Sequence, residues 1–175
     1  AILCYLSNKH GWDDVYPSDP QQRAKVDWYL HYHHRNVRDA SIGLVAPKIR
    51  KDLNIPDIIQ QSARSTFTRA VRTLDTGWLA QSRYLTGDRL TLADFAAYME
   101  IGQLQPGFTN LFDFEPYPNV RRWLETMKQV AGHDDAHVVL TELGDISVEA
   151  PALEAIKQAN FRALAALKTR VAQMG

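Results

Sequence analysis

Apolar residues recur along most of this chain at intervals of three and four, the spacing that places them on one face of a helix. The first long stretch of this kind covers residues 21–46, and Pro47 is predicted to end it. Its apolar positions are Ala24, Tyr29 or Leu30, Val37, Ile42 and Val45. A second stretch covers residues 57–81. The residues that share its apolar face are Ile58, Ile59, Ala63, Phe67, Ala70, Val71, Leu74 and Trp78. Two long helices in succession are suited to an antiparallel pair.

A capping box is the clearest local pattern, and it marks the start of the third predicted helix. Thr91 and Asp94 are three residues apart, so the Thr91 hydroxyl can accept from the Asp94 N–H while the Asp94 carboxylate accepts from the Thr91 N–H. Loss of such a cap costs roughly 0.5–2 kcal/mol of stability. We therefore assign Thr91 and Asp94 a structural role. Pro106 and Gly107 are predicted to end this helix.

Three shorter or later elements follow. A helix is predicted to begin at Pro118, a short one covers residues 133–143, and the last begins after Pro151. The helix at Pro118 directs inward Val120, Trp123, Leu124 and Met127. The apolar residues of the last helix are Leu153, Ile156, Leu164, Leu167, Val171 and Met174. Since no segment alternates like a strand for more than a few residues, the predicted fold class is all-α, a bundle of six or seven helices.

The first residues form an apolar stripe that nothing upstream caps. Ile2, Leu3 and Leu6 share one helical face, while a basic leader and a small-residue cleavage site are missing. We therefore expect the chain to enter a helix partway, as a fragment of a longer protein. Ser18 or Asp19 is predicted to cap the helix that follows.

Composition narrows the function classes. The 20 Lys and Arg balance the 20 Asp and Glu, which gives no indication of nucleic acid or an anionic membrane as a partner. No apolar run approaches the roughly 20 residues of a membrane span. The single cysteine, Cys4, excludes an internal disulfide and suits a reducing compartment, so we expect a cytoplasmic protein. Trp28, Trp78 and Trp123 are predicted core anchors.

The histidines do not form a metal-binding pattern. His133 and His137 are four residues apart, but a zinc motif of this spacing needs a glutamate base and a third ligand. Asp134 and Asp135, which lie between them, are predicted to favour the positive end of the helix dipole. The run His31, His33 and His34 points in different directions around a helix. We expect no metal.

Four stretches give the chain a resemblance to a known family. They are AILCYLSNKH, YPSDPQQRAKVDWYLHYHHRNVR, YLTGDRLTLADF and YPNVRRWLETM. In their order and spacing they resemble the glutathione S-transferase superfamily, the theta class in particular, over nearly the whole chain, with the match loosening after Thr141. The resemblance implies that residues 1–12 are a remnant last helix of a thioredoxin-like N-terminal domain, that 13–20 are a linker, and that 21–175 are the C-terminal helical domain.

The resemblance also implies an activity. The parent protein is expected to conjugate glutathione to small hydrophobic electrophiles, or to reduce organic peroxides, with glutathione as co-substrate and no other cofactor. In this family an early serine activates the thiol and a Glu-Ser pair holds glutathione; both are expected upstream of this chain, which carries no catalytic residue and is expected to be inactive alone. The chain is expected to supply the electrophile pocket and part of the interface of a homodimer.

Arg38 and His34 are the first candidate site residues. The segment YHHRNVR resembles the theta-class stretch whose last arginine faces the cleft, and Arg38 matches that position. A guanidinium there can stabilise a thiolate or neutralise a glutathione carboxylate. The alternative is a surface arginine, paired with Asp39 or solvated. His34 lies four residues earlier and can line the same cleft, whereas His31 and His33 are predicted surface residues.

Met99, Gln103 and Phe108 are the remaining candidates. They lie where the family's helices border the electrophile pocket, and ordinary core packing is the alternative for Met99 and Phe108.

A non-catalytic function is the alternative for the chain as a whole, because similar domains act as interaction modules in translation elongation factor gamma subunits. The theta-like stretches YPSD and YHHRNVR favour the enzyme.

Overall fold

The computed structural model describes residues 1–174, apart from the side chain of Met174; Gly175, the end of the predicted helical domain, lies outside the described residues. Within this range the chain forms nine α-helices and no strand. They are α1 Ile2–His10, α2 Pro20–Asn36, α3 Ala46–Ile49, α4 Asp57–Thr73, α5 Leu92–Ile101, α6 Pro118–Lys128, α7 His133–Ala136, α8 Val138–Leu143 and α9 Leu153–Met174. Two π-helical turns, Ser41–Val45 and Leu74–Trp78, follow α2 and α4. The all-α prediction is confirmed.

The predicted start of the first long helix is confirmed. Asp19 caps α2, because its Oδ1 accepts from the Gln22 N–H at 2.9 Å, and Pro20 occupies the first helical turn. The helix before it, α1, ends at Gly11, whose φ of 66° is left-handed. In α1, Ile2 and Leu3 are exposed and Leu6 is half-buried.

The first long helix is interrupted, contrary to the prediction. It ends at Asn36, and a π-helical turn then leads into α3. Pro47 does not end a helix but lies in the first turn of α3, where its missing N–H is tolerated. Ala24 and Ile42 are exposed, and Val26 and Leu44 are buried. A π turn closes i→i+5 bonds, so positions beyond residue 40 no longer follow the spacing of an α-helix.

The second long helix follows the prediction more closely. In α4 and its π turn, Ala63, Phe67, Ala70, Val71 and Leu74 are buried and Trp78 is half-buried. Ile58 and Ile59 are exposed, contrary to the prediction, because the first turn of α4 projects beyond the core.

A glycine brings the two long segments close together. A Cβ at Gly43, in the first π turn, would lie 2.5 Å from the backbone nitrogen of Arg64 in α4. No side chain can therefore replace this glycine without separating the two elements.

Two buried aspartates connect the later helices. The capping box of Thr91 and Asp94 is present, with the Asp94 Oδ2 accepting from the Thr91 N–H at 3.0 Å. The other oxygen, Oδ1, accepts from the Leu85 N–H at 2.9 Å and from the Trp123 Nε1–H at 3.0 Å. Asp94 therefore joins the start of α5 to the core tryptophan of α6. Asp75 caps α6 in a similar way, because its Oδ1 accepts from the Val120 N–H at 3.0 Å.

The four predicted core residues of α6 are buried: Val120, Trp123, Leu124 and Met127. The predicted short helix 133–143 divides at His137 into α7 and α8. The last helix begins after Pro151 as predicted. Its buried residues are Ala159 and Ala163.

The larger apolar residues of α9 do not face the core. Those that are exposed are Leu153, Leu164, Leu167 and Val171. Small alanines allow α9 to lie close to α7 and α8, which it contacts. None of the described helices combines the length and apolarity that crossing a membrane requires.

Candidate functional site

Arg38 lies in the turn that follows α2, directly after the buried Val37. Its side chain is exposed, and none of the ion pairs among the described residues involves it, including the predicted alternative with Asp39. The backbone of the turn is held to α2, because the Arg38 N–H donates to the His33 carbonyl oxygen at 3.2 Å. The guanidinium is therefore free to meet an anion from outside.

A carboxylate on α5 lies close to this turn. The Ser41 hydroxyl donates to the Glu100 Oε2 at 3.0 Å and so joins the segment after α2 to α5. Burial raises the pKa of the half-buried Glu100, whereas the Ser41 hydrogen bond and the positive charge of Arg38 act to lower it. No local sequence pattern indicates this pair, in which Glu100 is the only acidic residue of α5 besides Asp94.

His33 lies on the other side of Arg38. Burial lowers the pKa of His33 to about 4, and the positive charge of Arg38 contributes to the lowering. Its Nδ1 lies 3.4 Å from the hydroxyl of the buried Tyr29. His33 is half-buried rather than a surface residue, which corrects the prediction, whereas His31 and His34 are exposed.

Met99 lies on the exposed face of α5, directly before Glu100, and the half-buried Gln103 lies in the 3-10 turn Gly102–Leu104 that follows α5. Met99 is 56% exposed, so the alternative of core packing is wrong for this residue. The Gln103 Nε2 donates to the Glu100 carbonyl oxygen at 3.2 Å. The polar cluster of Arg38, Ser41, Glu100 and Gln103, with the apolar Met99 beside it, is the candidate site.

Phe108 belongs to a different cluster. It is only 8% exposed and stacks on His137, with ring centroids 5.4 Å apart and planes 10° apart. This environment agrees with the alternative of core packing. A role of Phe108 in the electrophile pocket stays a prediction.

His133 and His137 use their ring nitrogens within the protein. The His133 Nδ1 lies 2.8 Å from the Asp134 carboxylate, and its Nε2 lies 2.8 Å from the Tyr98 hydroxyl. The His137 Nδ1 lies 2.6 Å from the His133 carbonyl oxygen. Asp135 pairs with Arg170 at 3.2 Å, so both aspartates make specific side-chain contacts beyond the predicted dipole interaction. In residues 1–174 no three metal-ligating side chains lie together.

An apolar cleft of about 510 Å³ opens between the start of α2 and the end of α4. Trp28 lines it and is 63% exposed, so it is not the predicted core anchor. Its ring lies on that of Trp78, with centroids 4.3 Å apart. Lys25 and Leu85 also line this space, which we call the Trp28 cleft. The third tryptophan, Trp123, is fully buried as predicted.

The fold is therefore an all-helical domain with a polar cluster at the end of its first long helix and a separate apolar cleft. The family model described as "Glutathione S-transferase, C-terminal domain" matches residues 33–126, just over half of the chain. The chain belongs to this family and is theta-like within the glutathione S-transferase superfamily, since theta-class proteins are among its relatives.

Individual relatives agree with this assignment. Glutathione S-transferase theta-1 of Gallus gallus is 28% identical over 84% of this chain, and glutathione S-transferase T3 of Arabidopsis thaliana is 34% identical over 83%. The crystal structure of human glutathione transferase theta-2, a complex with glutathione and an unknown ligand, is 25% identical, with a TM-score of 0.66 over 93% of this chain. None of these findings favours the non-catalytic alternative.

The chain is shorter than these relatives. It spans 59% of the chicken protein, 26% of the Arabidopsis protein and 71% of the human chain of known structure.

Proposed function

We propose that this chain is the electrophile-binding part of a theta-like glutathione transferase in which Arg38 contacts the glutathione thiolate or one of its carboxylates. The observation that carries the proposal is the exposed Arg38 guanidinium, unpaired among the described residues and near Glu100 and His33. A cation at this place favours the thiolate over the thiol. The crystal structure of human theta-2 is a complex with glutathione, which supports glutathione as the co-substrate.

The reaction we propose is a thiol transfer. The thiolate sulfur forms a bond to an electrophilic carbon, and the leaving group departs with the electron pair of the bond that breaks. With a peroxide the thiolate sulfur instead bonds to one oxygen, the O–O bond breaks, and the alkoxide leaves and takes up a proton as the alcohol. The glutathione sulfenic acid then reacts with a second glutathione thiol to give the disulfide and water. We propose His34, Met99 and Gln103, which lie near Arg38, for the pocket of the second substrate, and Phe108, from the separate cluster around His137, for its border.

The domain organisation remains part of the proposal. We assign residues 1–12 to the last helix of a thioredoxin-like domain, 13–20 to a linker and 21–175 to the helical domain. The exposed Ile2, Leu3 and Tyr5 of α1 support a packing partner for that helix. The serine that activates the thiol then lies in the thioredoxin-like domain, the chain by itself is inactive, and the enzyme works in the cytoplasm.

The test is a conjugation assay on the full-length parent with Arg38→Ala. We expect kcat/KM to fall by about 10- to 150-fold, because a hydrogen bond to a charged group contributes about 1.5–3 kcal/mol and its loss lowers kcat/KM by that factor. The pKa of bound glutathione, followed by thiolate absorbance, should rise if Arg38 contacts the sulfur. Arg35→Ala, which removes another exposed arginine of α2, is the matched control. Unchanged kinetics and an unchanged thiol pKa in Arg38→Ala would refute the role of Arg38.

We also propose that the parent protein is a homodimer and that the second copy covers the Trp28 cleft. A tryptophan 63% exposed beside an apolar cleft is a typical anchor of a protein interface.

A further inference from the structure

Four aromatic rings form a stack beneath α7. The rings of Phe108 and His137 lie 5.4 Å apart and nearly parallel, and the rings of His137 and His133 lie 4.4 Å apart at 23°. Tyr98 meets both imidazoles with its edge, at 5.4 Å from each. We call this group the histidine stack. It joins Tyr98 of α5 and Phe108 of the loop after α5 to His133 of α7 and to His137.

His137 is held in one neutral form. Its Nδ1 lies 2.6 Å from the His133 carbonyl oxygen, which can only accept, so Nδ1 carries the proton. The other nitrogen, Nε2, is unprotonated, and it has no hydrogen-bond partner among the described residues. His137 as a whole is 4% exposed. Burial is the main cause that lowers the pKa of His137; the hydrogen bond to the His133 carbonyl oxygen acts to raise it, and the charge of the His133 ring acts to lower it.

A proton on Nε2 would create a charge that the surroundings do not balance. The ring of His133 lies on one side and that of Phe108 on the other. The Tyr98 hydroxyl, from α5, already interacts with the His133 Nε2 and with Gln105. A buried N–H without an acceptor and a buried unpaired charge are both unfavourable.

The charged groups nearby are engaged elsewhere. The Asp134 carboxylate, which favours a positive charge on His137, is fully exposed and lies 2.8 Å from the His133 Nδ1. Glu125, in α6, forms an ion pair with Lys128 at 2.7 Å, and its negative charge helps to raise the pKa of Tyr98. From α9, Arg170 pairs with Asp135 and Arg162 pairs with Glu142.

His137 lies at a junction that attaches the last quarter of the chain. It is the single residue between α7 and α8, and both of these helices contact α9. The ion pairs of α9 are made to α7 and α8, namely Arg170 to Asp135 and Arg162 to Glu142. A change at His137 is therefore passed to α9 as well.

We propose that the histidine stack is an acid-sensitive attachment: protonation of His137 at its unpartnered Nε2 releases α7, α8 and α9 from α5 and Phe108 while the rest of the bundle stays folded. The proposal concerns this chain by itself and is independent of glutathione chemistry. The remaining core, centred on Phe67, Leu74 and Trp123, does not include His137.

The direction of the effect follows from the lowered pKa of His137. A histidine that is harder to protonate when folded stabilises the fold fully at a pH above its ordinary value of about 6.5. That contribution is lost as the pH falls below 6.5, down to the pKa of the folded state. Within this window each pH unit multiplies the population of the released state by up to about tenfold.

The test is hydrogen exchange, measured peptide by peptide at pH 7.5 and 5.5 and corrected for the intrinsic rate. We expect protection of residues 138–174 to fall by up to tenfold more than that of residues 57–78. In His137→Phe, which stacks without a titratable nitrogen, this excess should disappear. His31→Phe, at an exposed histidine, should keep it.

If His137→Phe does not fold, a second variant provides the same test. His137→Gln retains an N–H donor for the His133 carbonyl but does not titrate, so it should also lose the excess. The proposal is overturned if the two regions lose protection equally in the wild-type chain. It is also overturned if the variant that folds keeps the wild-type dependence on pH.

Discussion

Arg38 sets the electrostatic environment of two neighbouring side chains of opposite kind. Its positive charge disfavours the imidazolium of His33 and favours the carboxylate of Glu100. In both groups burial is the larger cause, and it acts against the charged form. The pKa values of His33 and Glu100 therefore depend on the charge of Arg38 even in the absence of a ligand.

We predict that Arg38→Ala raises the pKa of His33 from about 4 towards the ordinary value, without reaching it because burial remains. Since the pKa of His33 is lowered in the fold, its contribution to stability is present above pH 6.5 and is lost towards pH 4. In the wild type this loss amounts to roughly 3 kcal/mol, and in the variant it should be smaller. The pKa of Glu100 should rise further from its already raised value.

NMR titration of the histidine ring protons and the glutamate carboxyl carbons measures both shifts in the chain as it stands. Arg35→Ala is again the control, since no effect of Arg35 on either pKa is expected. A His33 titration that is identical in wild type and Arg38→Ala would place Arg38 away from the candidate site.

At the scale of the element, caps link helices that are distant in sequence. Asp94 caps α5 and also holds the Trp123 indole of α6, and Asp75, in the π turn after α4, caps α6. These two carboxylates fix the relative positions of α4, α5 and α6.

We predict that Asp94→Ala costs about 3–5 kcal/mol, because it leaves the Leu85 N–H and the Trp123 Nε1–H buried without acceptors, at about 1–3 kcal/mol each, and removes the cap. Thr91→Ala should cost about 1 kcal/mol. Because the Thr91 hydroxyl donates to Asp94 at 3.1 Å, the double variant should cost less than the sum.

Urea unfolding of the three variants measures these differences. Thr73→Ala, at an exposed helical threonine, is the control for a general effect of removing a hydroxyl. Strict additivity of Thr91→Ala and Asp94→Ala would contradict the coupling, and a negligible effect of Asp94→Ala would contradict its role as a buried acceptor.

Contacts between residues close in sequence could be predicted, whereas contacts between distant elements could not. The caps at Asp19 and Thr91 could be predicted because their partners are three residues away. The Ser41–Glu100 hydrogen bond joins residues 59 positions apart, and no local pattern indicates it. In α9 the apolar pattern does not indicate the buried side, because Ala159 and Ala163 are buried while Leu153, Leu164, Leu167 and Val171 are exposed.

For the whole molecule, the Trp28 cleft is the surface that we assign to a second copy. We predict that Trp28→Glu in the full-length parent weakens dimerisation by at least 30-fold, the equivalent of about 2 kcal/mol, because an interface tryptophan of this kind carries that much energy. Sedimentation velocity over a range of concentrations measures the dissociation constant.

Trp12→Glu, at another exposed tryptophan, is the matched control and should leave the dimer intact. A dimer of unchanged strength in Trp28→Glu would place the interface on another surface. A parent that is monomeric at all concentrations would refute the homodimer itself.

The π-helical turn at Ser41–Val45 has a consequence for comparing this chain with its relatives. A π turn holds one residue more than an α turn, so a relative with an uninterrupted helix here would lack one position. Aligned without a gap, every later residue of that helix would be rotated by about 100° from its true equivalent. Gly43 offers a landmark for placing the gap, since the close contact with Arg64 admits no other residue. Removal of a single residue from this turn should accordingly rotate α3 out of register with α4.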